Sequence, residues 1–273
     1  MILNPSTPSP LRDFSAILSA PPVPVVWDVE PLIVHGDRAM LIGAWGSYKS
    51  FLLTHLALHL AIGKDWLGWP IPHPRKVLYI DEDMNVSTAD RRARRIGLGM
   101  GVEGDVPLRF AKLGWRITDY SPTKLIECVK AWAFVPEVVI IETMRRVLVG
   151  DENHNADVSR MWSNLMPLSA EGWTVILSHH MSKGNPEFPR PLRDRQSGGT
   201  AILSDVDCGF AVVRQGQSNA VDVTQTKQRE GEEVATFTVL VESTGDARQG
   251  PITLRRDTTF KTPGENPWGP SPP

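Results

Sequence analysis

The chain reads as an α/β protein with a mainly parallel central sheet flanked by helices and an antiparallel C-terminal extension. Three features of the sequence predict this. Short unbroken Val/Ile/Leu runs, rather than alternating ones, mark strands covered on both faces. Helical stretches separate those runs, so successive strands are joined by right-handed crossovers in a doubly wound sheet. From about residue 205 onward the pattern changes to alternating strands divided by turns, with no helical stretch between them.

The covered strands are expected at 38–43 (RAMLIG), 76–80 (KVLYI), 137–142 (EVVIIE) and 173–180 (WTVILSHH). After the first, "KSFLLTHLALHLAIG" is apolar at 52, 53, 56, 58, 60 and 62. That is a largely buried helix closing at Gly63, since glycine accepts the left-handed C-terminal position at little cost. A second helix is expected in "SPTKLIECVKAWAF" with Ser121 as N-cap. A third falls in "DVSRMWSNLMPLSAEG", interrupted or ended by Pro167, which lacks the amide a helix interior needs. The extension is expected to consist of "CGFAVVRQ", "AVDVTQTKQ", "ATFTVLVES" and "ITLRRD", with turns at "GQSN" and "REGEE".

Composition narrows the class. A chain of 273 residues with 41% hydrophobic and 22% charged content suits one large domain with a well-buried core. Prolines at 5, 8, 10, 21, 22 and 24, and the stretch "TPGENPWGPSPP" (262–273), predict an N-terminal segment over 1–24 and a tail over 259–273, around one domain at 25–258. The net charge of −2 argues against a globally basic nucleic-acid coat and leaves room for a local basic groove. Cys128 and Cys208 are the only cysteines, which gives no disulfide framework and fits a reducing, cytoplasmic setting. The N-terminus has no basic region of the signal-peptide kind, and no apolar run reaches the roughly 20 residues of a membrane span.

The chemistry concentrates at predicted strand ends. The stretch Gly43-Ala44-Trp45-Gly46-Ser47-Tyr48-Lys49-Ser50 nearly spells the phosphate-binding pattern G-x-x-x-x-G-K-[ST], with Tyr48 where the second glycine belongs. It lies between a buried strand and a buried helix, as a phosphate loop must. There, loop amides and the helix N-terminus face phosphates, Lys49 reaches the outer phosphates of ATP, and Ser50 can hold Mg²⁺. Because tyrosine lacks glycine's freedom, its φ is expected to be negative. Three further polar stations follow: Asp81, Glu82 and Asp83 after the second strand, Glu142-Thr143 after the third, and His179 with His180 after the fourth. Ligands of open α/β sheets bind at the carboxyl ends of strands. Glu142 is placed to hold Mg²⁺ through water. One of His179 and His180, which alternate across the strand, faces the site to sense the γ-phosphate. His55 and His59 have the i, i+4 spacing of a zinc pair but no evident third ligand. The basic run "RRARR" (91–95) reads as a helix face, with one arginine available to stack on adenine.

These residues resemble a known group, the RecA-fold ATPases of the plasmid RepA-type helicases, related to DnaB-type replicative helicases. The resemblance covers about residues 25–242. It rests on the "GAWGSYKS" loop with its flanks, "DWLGWPI", "KVLYIDEDM", "VVIIETM" with "GDENHN", "ILSHHMSKG" and "KQREG". Glu142 stands where the group has a Mg²⁺-associated aspartate, and Tyr48 where it has glycine. The group's catalytic glutamate aligns best with Glu82, and a shift of one residue gives the role to Asp83. The resemblance implies a RecA-like P-loop NTPase that hydrolyses ATP with Mg²⁺ on single-stranded DNA, as a homo-oligomeric ring, most simply a hexamer, in plasmid or phage DNA replication. In "MSKGNPEFPRPLRDRQSGGT", Lys183, Arg190 and Arg193 are then expected to hold DNA phosphates. Lys227 and Arg229 match a K-x-R pair that reaches the neighbouring subunit's γ-phosphate. A recombination or repair ATPase without unwinding activity and a P-loop small-molecule kinase are the alternatives. No N-K-x-D guanine motif is present, which disfavours a GTPase.

Overall fold

The computed structural model describes residues 13–115, 123–152, 154–180 and 205–258. Among them the elements run α1 (Phe14–Ser19), β1 (Trp27–Val29), β2 (Ile33–Val34), β3 (Arg38–Gly43), α2 (Lys49–Ile62), β4 (Val77–Asp81), α3 (Val86–Met100) and β5 (Leu108–Ala111). They continue with α4 (Lys124–Ala131), β6 (Val138–Glu142), α5 (Met144–Val147), α6 (Asn155–Ala170), β7 (Thr174–His180), β8 (Cys208–Arg214), β9 (Ala220–Lys227), β10 (Phe237–Ser243) and β11 (Ile252–Arg256).

Nine of these strands form one sheet, ordered β11-β10-β9-β8-β3-β7-β6-β4-β5. From β8 to β5 all neighbours are parallel. β9, β10 and β11 complete the sheet antiparallel. The first strand of the expected extension therefore pairs in parallel with β3, and the antiparallel part begins at β9. Side chains along each parallel strand alternate between two cores, which is why the runs carry no polar positions. Val138 and Ile140 of β6 pack with α2, whereas Val139 and Ile141 pack with α4, α5 and α6. Each fully buried aliphatic side chain contributes on the order of 1.5–3 kcal/mol.

α2 is buried on nearly all sides and ends at Gly63, whose φ of 67° lets its amide bond the His59 carbonyl at 2.9 Å. The reason is the curl of the sheet. α3 leaves β4 near one edge yet packs on β11 at the other, so the antiparallel strands fold over α2. Gly99 of α3 marks the contact, because a Cβ there would lie 2.0 Å from the Ile252 carbonyl oxygen. Arg95 fastens it by donating to the Gly250 carbonyl and to Ser243 Oγ, each at 2.7 Å.

Two helix expectations change. α6 runs through Pro167 to Ala170. Leu165 and Leu168 are buried against the sheet on either side of the proline, and that packing outweighs the roughly 3 kcal/mol a proline costs inside a helix. α4 is described from Lys124, with Thr123 at the N-cap position; Ser121 lies outside the described residues.

The end of the sheet opposite the strand carboxyl ends is tied by a buried polar network. Asp28, only 1% exposed, accepts from Arg75 Nε at 2.7 Å, meets His35 Nδ1 at 3.0 Å and accepts from Thr174 Oγ1. It anchors the β1–β2 hairpin to the starts of β4 and β7. No described helix is long and apolar enough to cross a membrane.

Candidate nucleotide site

The stretch from Gly43 to Ser50 links β3 to α2 as a tight loop. Gly43 is required by packing, since a Cβ would meet both Ser47 Oγ and the Val212 carbonyl oxygen at 2.7 Å. Ser47 is buried and donates its hydroxyl to the Ala44 carbonyl at 2.7 Å. Trp45 at the crown of the loop is 91% exposed.

Tyr48 corrects the sequence expectation. Its φ is +60°, in the left-handed region, not negative. Gly46 is left-handed as well, at +75°. Left-handed positions within a tight turn direct successive amides toward one point, the concave "nest" that holds anions. The loop keeps that shape and places tyrosine in a conformation that costs a non-glycine residue about 1–2 kcal/mol. The ring is held in return. It packs edge-on against Phe51 at 5.4 Å, and the Arg214 guanidinium lies over it at 4.8 Å.

Lys49 is 6% exposed and donates Nζ to the carbonyls of Gly43 at 2.8 Å and Ala44 at 2.9 Å. Burial pushes its pKa down to about 8, against the opposing pull of Glu142 and Asp83. Ser50 Oγ donates to Glu142 Oε1, while Tyr79 OH donates to Glu142 Oε2 at 2.5 Å. Glu142 is 2% exposed; burial raises its pKa, and the bonds from Ser50 and Tyr79 oppose that rise. The Ser50 hydroxyl and this carboxylate form a hard oxygen pair, the donor type Mg²⁺ takes directly or through water, so the residues fit the ion.

β4 ends level with β6, with Asp81 opposite Glu142. Asp81 Oδ1 accepts from the amides of Asp83 at 3.0 Å and Met84 at 2.9 Å, which turns the chain sharply and sends Glu82 and Asp83 in different directions. Glu82 accepts the Leu113 amide at 2.5 Å, beyond the end of β5. Asp83 is exposed, and its charge acts on both Lys49 and His180. His179 is fully buried. His180 lies level with Gly43, half-buried, and its pKa is lowered first by desolvation and then by Lys49. The structure thus brings Lys49, Ser50, Glu142, Asp83 and His180 together and leaves Glu82 and His179 turned elsewhere.

Two arginines outside the sequence expectation flank the loop. Arg214 ends β8, two residues beyond the Val212–Gly43 pair. Arg92 of α3 lies 4.6 Å over the Phe51 ring, and its charge reaches Asp81 and Glu142. Its neighbours Arg91, Arg94 and Arg95, with Asp90 and Gln249, line an open cavity between α3 and the β10–β11 turn. Arg214 follows no motif, and only its place at a strand end could have singled it out. His55 and His59 face each other with Nε2 atoms 3.1 Å apart, and the described residues contain no group of three or more metal-ligating side chains.

Lys227 and Arg229 stand at the other end of the sheet. β9 runs antiparallel to β8, so Lys227 pairs with Gly209, near the start of β3. Arg229 binds Asp207 at 2.8 Å, and Asp207 also accepts from the Arg38 amide at 2.9 Å. β3 spans roughly 17 Å at the usual rise, so neither side chain can reach its own chain's loop. Lys183, Arg190 and Arg193 lie outside the described residues.

Solved structures with the same fold include the ATPase domain of a DnaB-like helicase, at 12% identity and TM-score 0.57, covering 75% of this chain and 81% of that one. The RadB recombinase matches at 12% identity and TM-score 0.52, covering 76% and 88%. The flagellar accessory protein FlaH from Methanocaldococcus jannaschii matches at 13% identity and TM-score 0.52, covering 82% and 90%. No curated protein matches at a significant level. The family model described as an AAA domain matches residues 5–186, most of the chain. The protein therefore belongs to the AAA domain family, in its RecA-like P-loop form.

Proposed function

We propose that the chain is a Mg²⁺-dependent ATP hydrolase that acts as a motor on single-stranded DNA within a homo-oligomeric ring, as a plasmid or phage replicative helicase does. The observation that carries the ATPase part is the convergence of Lys49, Ser50, Glu142, Asp83 and His180 at the carboxyl ends of adjacent strands. The DNA part is supported by the motif resemblance through "HHMSK" and the K-x-R pair, and by the basic composition of 183–193.

Each residue has a task in that reading. The loop amides and Lys49 bind the phosphates. Ser50 and Glu142 hold Mg²⁺, which when bound offsets the negative charge on the transferred phosphoryl group. Asp83, rather than Glu82, orients the attacking water, because its charge is the one felt at Lys49 while Glu82 is occupied by the Leu113 amide. His180 senses the γ-phosphate across from Lys49. The adenine lies against the α3 arginines, where guanidinium planes can stack on the base and Asp90 and Gln249 can accept from its amino group. Lys227 and Arg229 serve the adjacent subunit's site. Lys183, Arg190 and Arg193 track the DNA backbone in a cytoplasmic setting.

A second reading, a recombination or repair ATPase that binds DNA without unwinding it, is favoured by the likeness to the RadB recombinase. A strand-displacement assay on a forked duplex with ATP and Mg²⁺ separates the two. Displacement is expected. DNA-stimulated turnover without displacement would select the second reading, and turnover only with a small hydroxyl acceptor would select a kinase.

A further inference from the structure

The phosphate loop of this chain carries a tyrosine whose backbone conformation glycine would adopt without strain. The ring therefore has to contribute something that offsets this cost, and its surroundings show what. Arg214 approaches Tyr48 from the end of β8, with its guanidinium 4.8 Å from the ring centroid. Its Nε donates to the Ser218 carbonyl at 2.7 Å and Nη2 to the Gln217 carbonyl at 3.2 Å. These partners are neutral, and among the described residues no carboxylate forms an ion pair with Arg214. Its positive charge is thus held by a ring face and two turn carbonyls at the mouth of an anion-binding loop. On the other side, Phe51 carries Arg92 at 4.6 Å. The order Arg214, Tyr48, Phe51, Arg92 forms one continuous stack along the start of α2.

We propose that Tyr48 is a positioning residue, whose ring holds the Arg214 guanidinium across the mouth of the loop so that it meets the bound nucleotide. The αL conformation points the Tyr48 amide into the anion nest and its ring outward beneath Arg214, so one residue serves both the backbone and the cation. This inference rests on the nucleotide reading above and adds a residue pair to it. A guanidinium over an aromatic face is worth on the order of 0.5–2 kcal/mol, so releasing it should weaken nucleotide binding by about tenfold.

The test uses ADP with Mg²⁺ titrated calorimetrically into the full chain. Tyr48→Leu keeps the backbone strain but removes the ring, and it should weaken ADP binding by about tenfold. Tyr48→Phe restores the ring and should return the affinity to within about twofold of the original. Arg214→Gln should lose about as much as Tyr48→Leu, and the double variant should lose no more than either single one, because each removes the same contact. Tyr48→Gly should melt no lower than the wild type in the absence of nucleotide, yet bind ADP as weakly as Tyr48→Leu. Equal affinity of Tyr48→Leu and wild type, or losses that multiply in the double variant, would overturn the proposal while leaving the nucleotide site intact. Failure of the wild type to bind ADP at all would overturn the nucleotide reading and this inference together.

Discussion

Lys49 gathers most of the site's electrostatics in one side chain. In the nucleotide-free protein burial holds its pKa near 8, far below the ordinary 10.5. Phosphates favour the charged form, so nucleotide binding between these limits must take up a proton. ADP titrations at about pH 9, in two buffers of different ionisation enthalpy, are expected to show uptake approaching one proton, and Lys49→Ala none. The carboxylate assignment is tested beside it. Asp83→Asn should keep ATP binding and lower turnover by roughly a hundredfold or more, in line with the loss of a general base or water-orienting group. Glu82→Gln, which still offers an oxygen to the Leu113 amide, should cost far less. The reverse order in single-turnover measurements would return the role to Glu82. The acidic run itself was legible, but which of its members faces Lys49 was not, because that depends on the Asp81 turn. The negative φ expected of Tyr48 failed for a related reason. A steric preference of one residue gave way to the anion-holding geometry of the whole loop.

Among the elements, the covered strands and the helix after the loop were readable because their composition follows from burial on both faces. β5 was missed; it is a four-residue edge strand in which Arg109 and Phe110 are exposed, so it lacks the apolar run. α3 had Asn85 and Gly101 as end signals, with Asn85 Oδ1 accepting the Thr88 amide at 2.9 Å. Its only fully buried residue is Ile96, so it showed no apolar stripe. The turn into β3 makes a pH-dependent contribution. Asp37 has its pKa raised to about 7, mainly by burial and then by Asp207, with Glu230 and Asp28 adding to it. The folded state holds this proton more tightly than the unfolded chain, so Asp37 costs stability as pH rises from about 4 to 7, and the cost stays in full above that. Asp37→Asn is expected to stabilise the protein at pH 8 by on the order of 1–3 kcal/mol, with a smaller gain in urea unfolding at pH 5.

At the scale of the whole molecule, the sheet separates two functional ends. The nucleotide residues lie at the strand carboxyl ends, and Lys227 with Arg229 lies at the other, pinned where Asp207 joins Arg38 and Arg229. Such a polarity suits a ring in which one subunit's far end meets the next subunit's loop. Arg229→Ala should retain ATP binding and lose turnover by roughly a thousandfold, the usual worth of an arginine acting in trans. Mixing it with Lys49→Ala subunits should restore part of the activity, since some interfaces then carry both an intact loop and an intact arginine. No recovery in rings shown to be mixed would count against action across the interface. The most direct measurement is steady-state ATP turnover of the full chain with Mg²⁺, with and without single-stranded DNA, beside Lys49→Ala. Turnover that rises severalfold with DNA and disappears in Lys49→Ala is expected. Turnover indifferent to DNA, or retained in Lys49→Ala, would contradict a DNA motor driven from this loop.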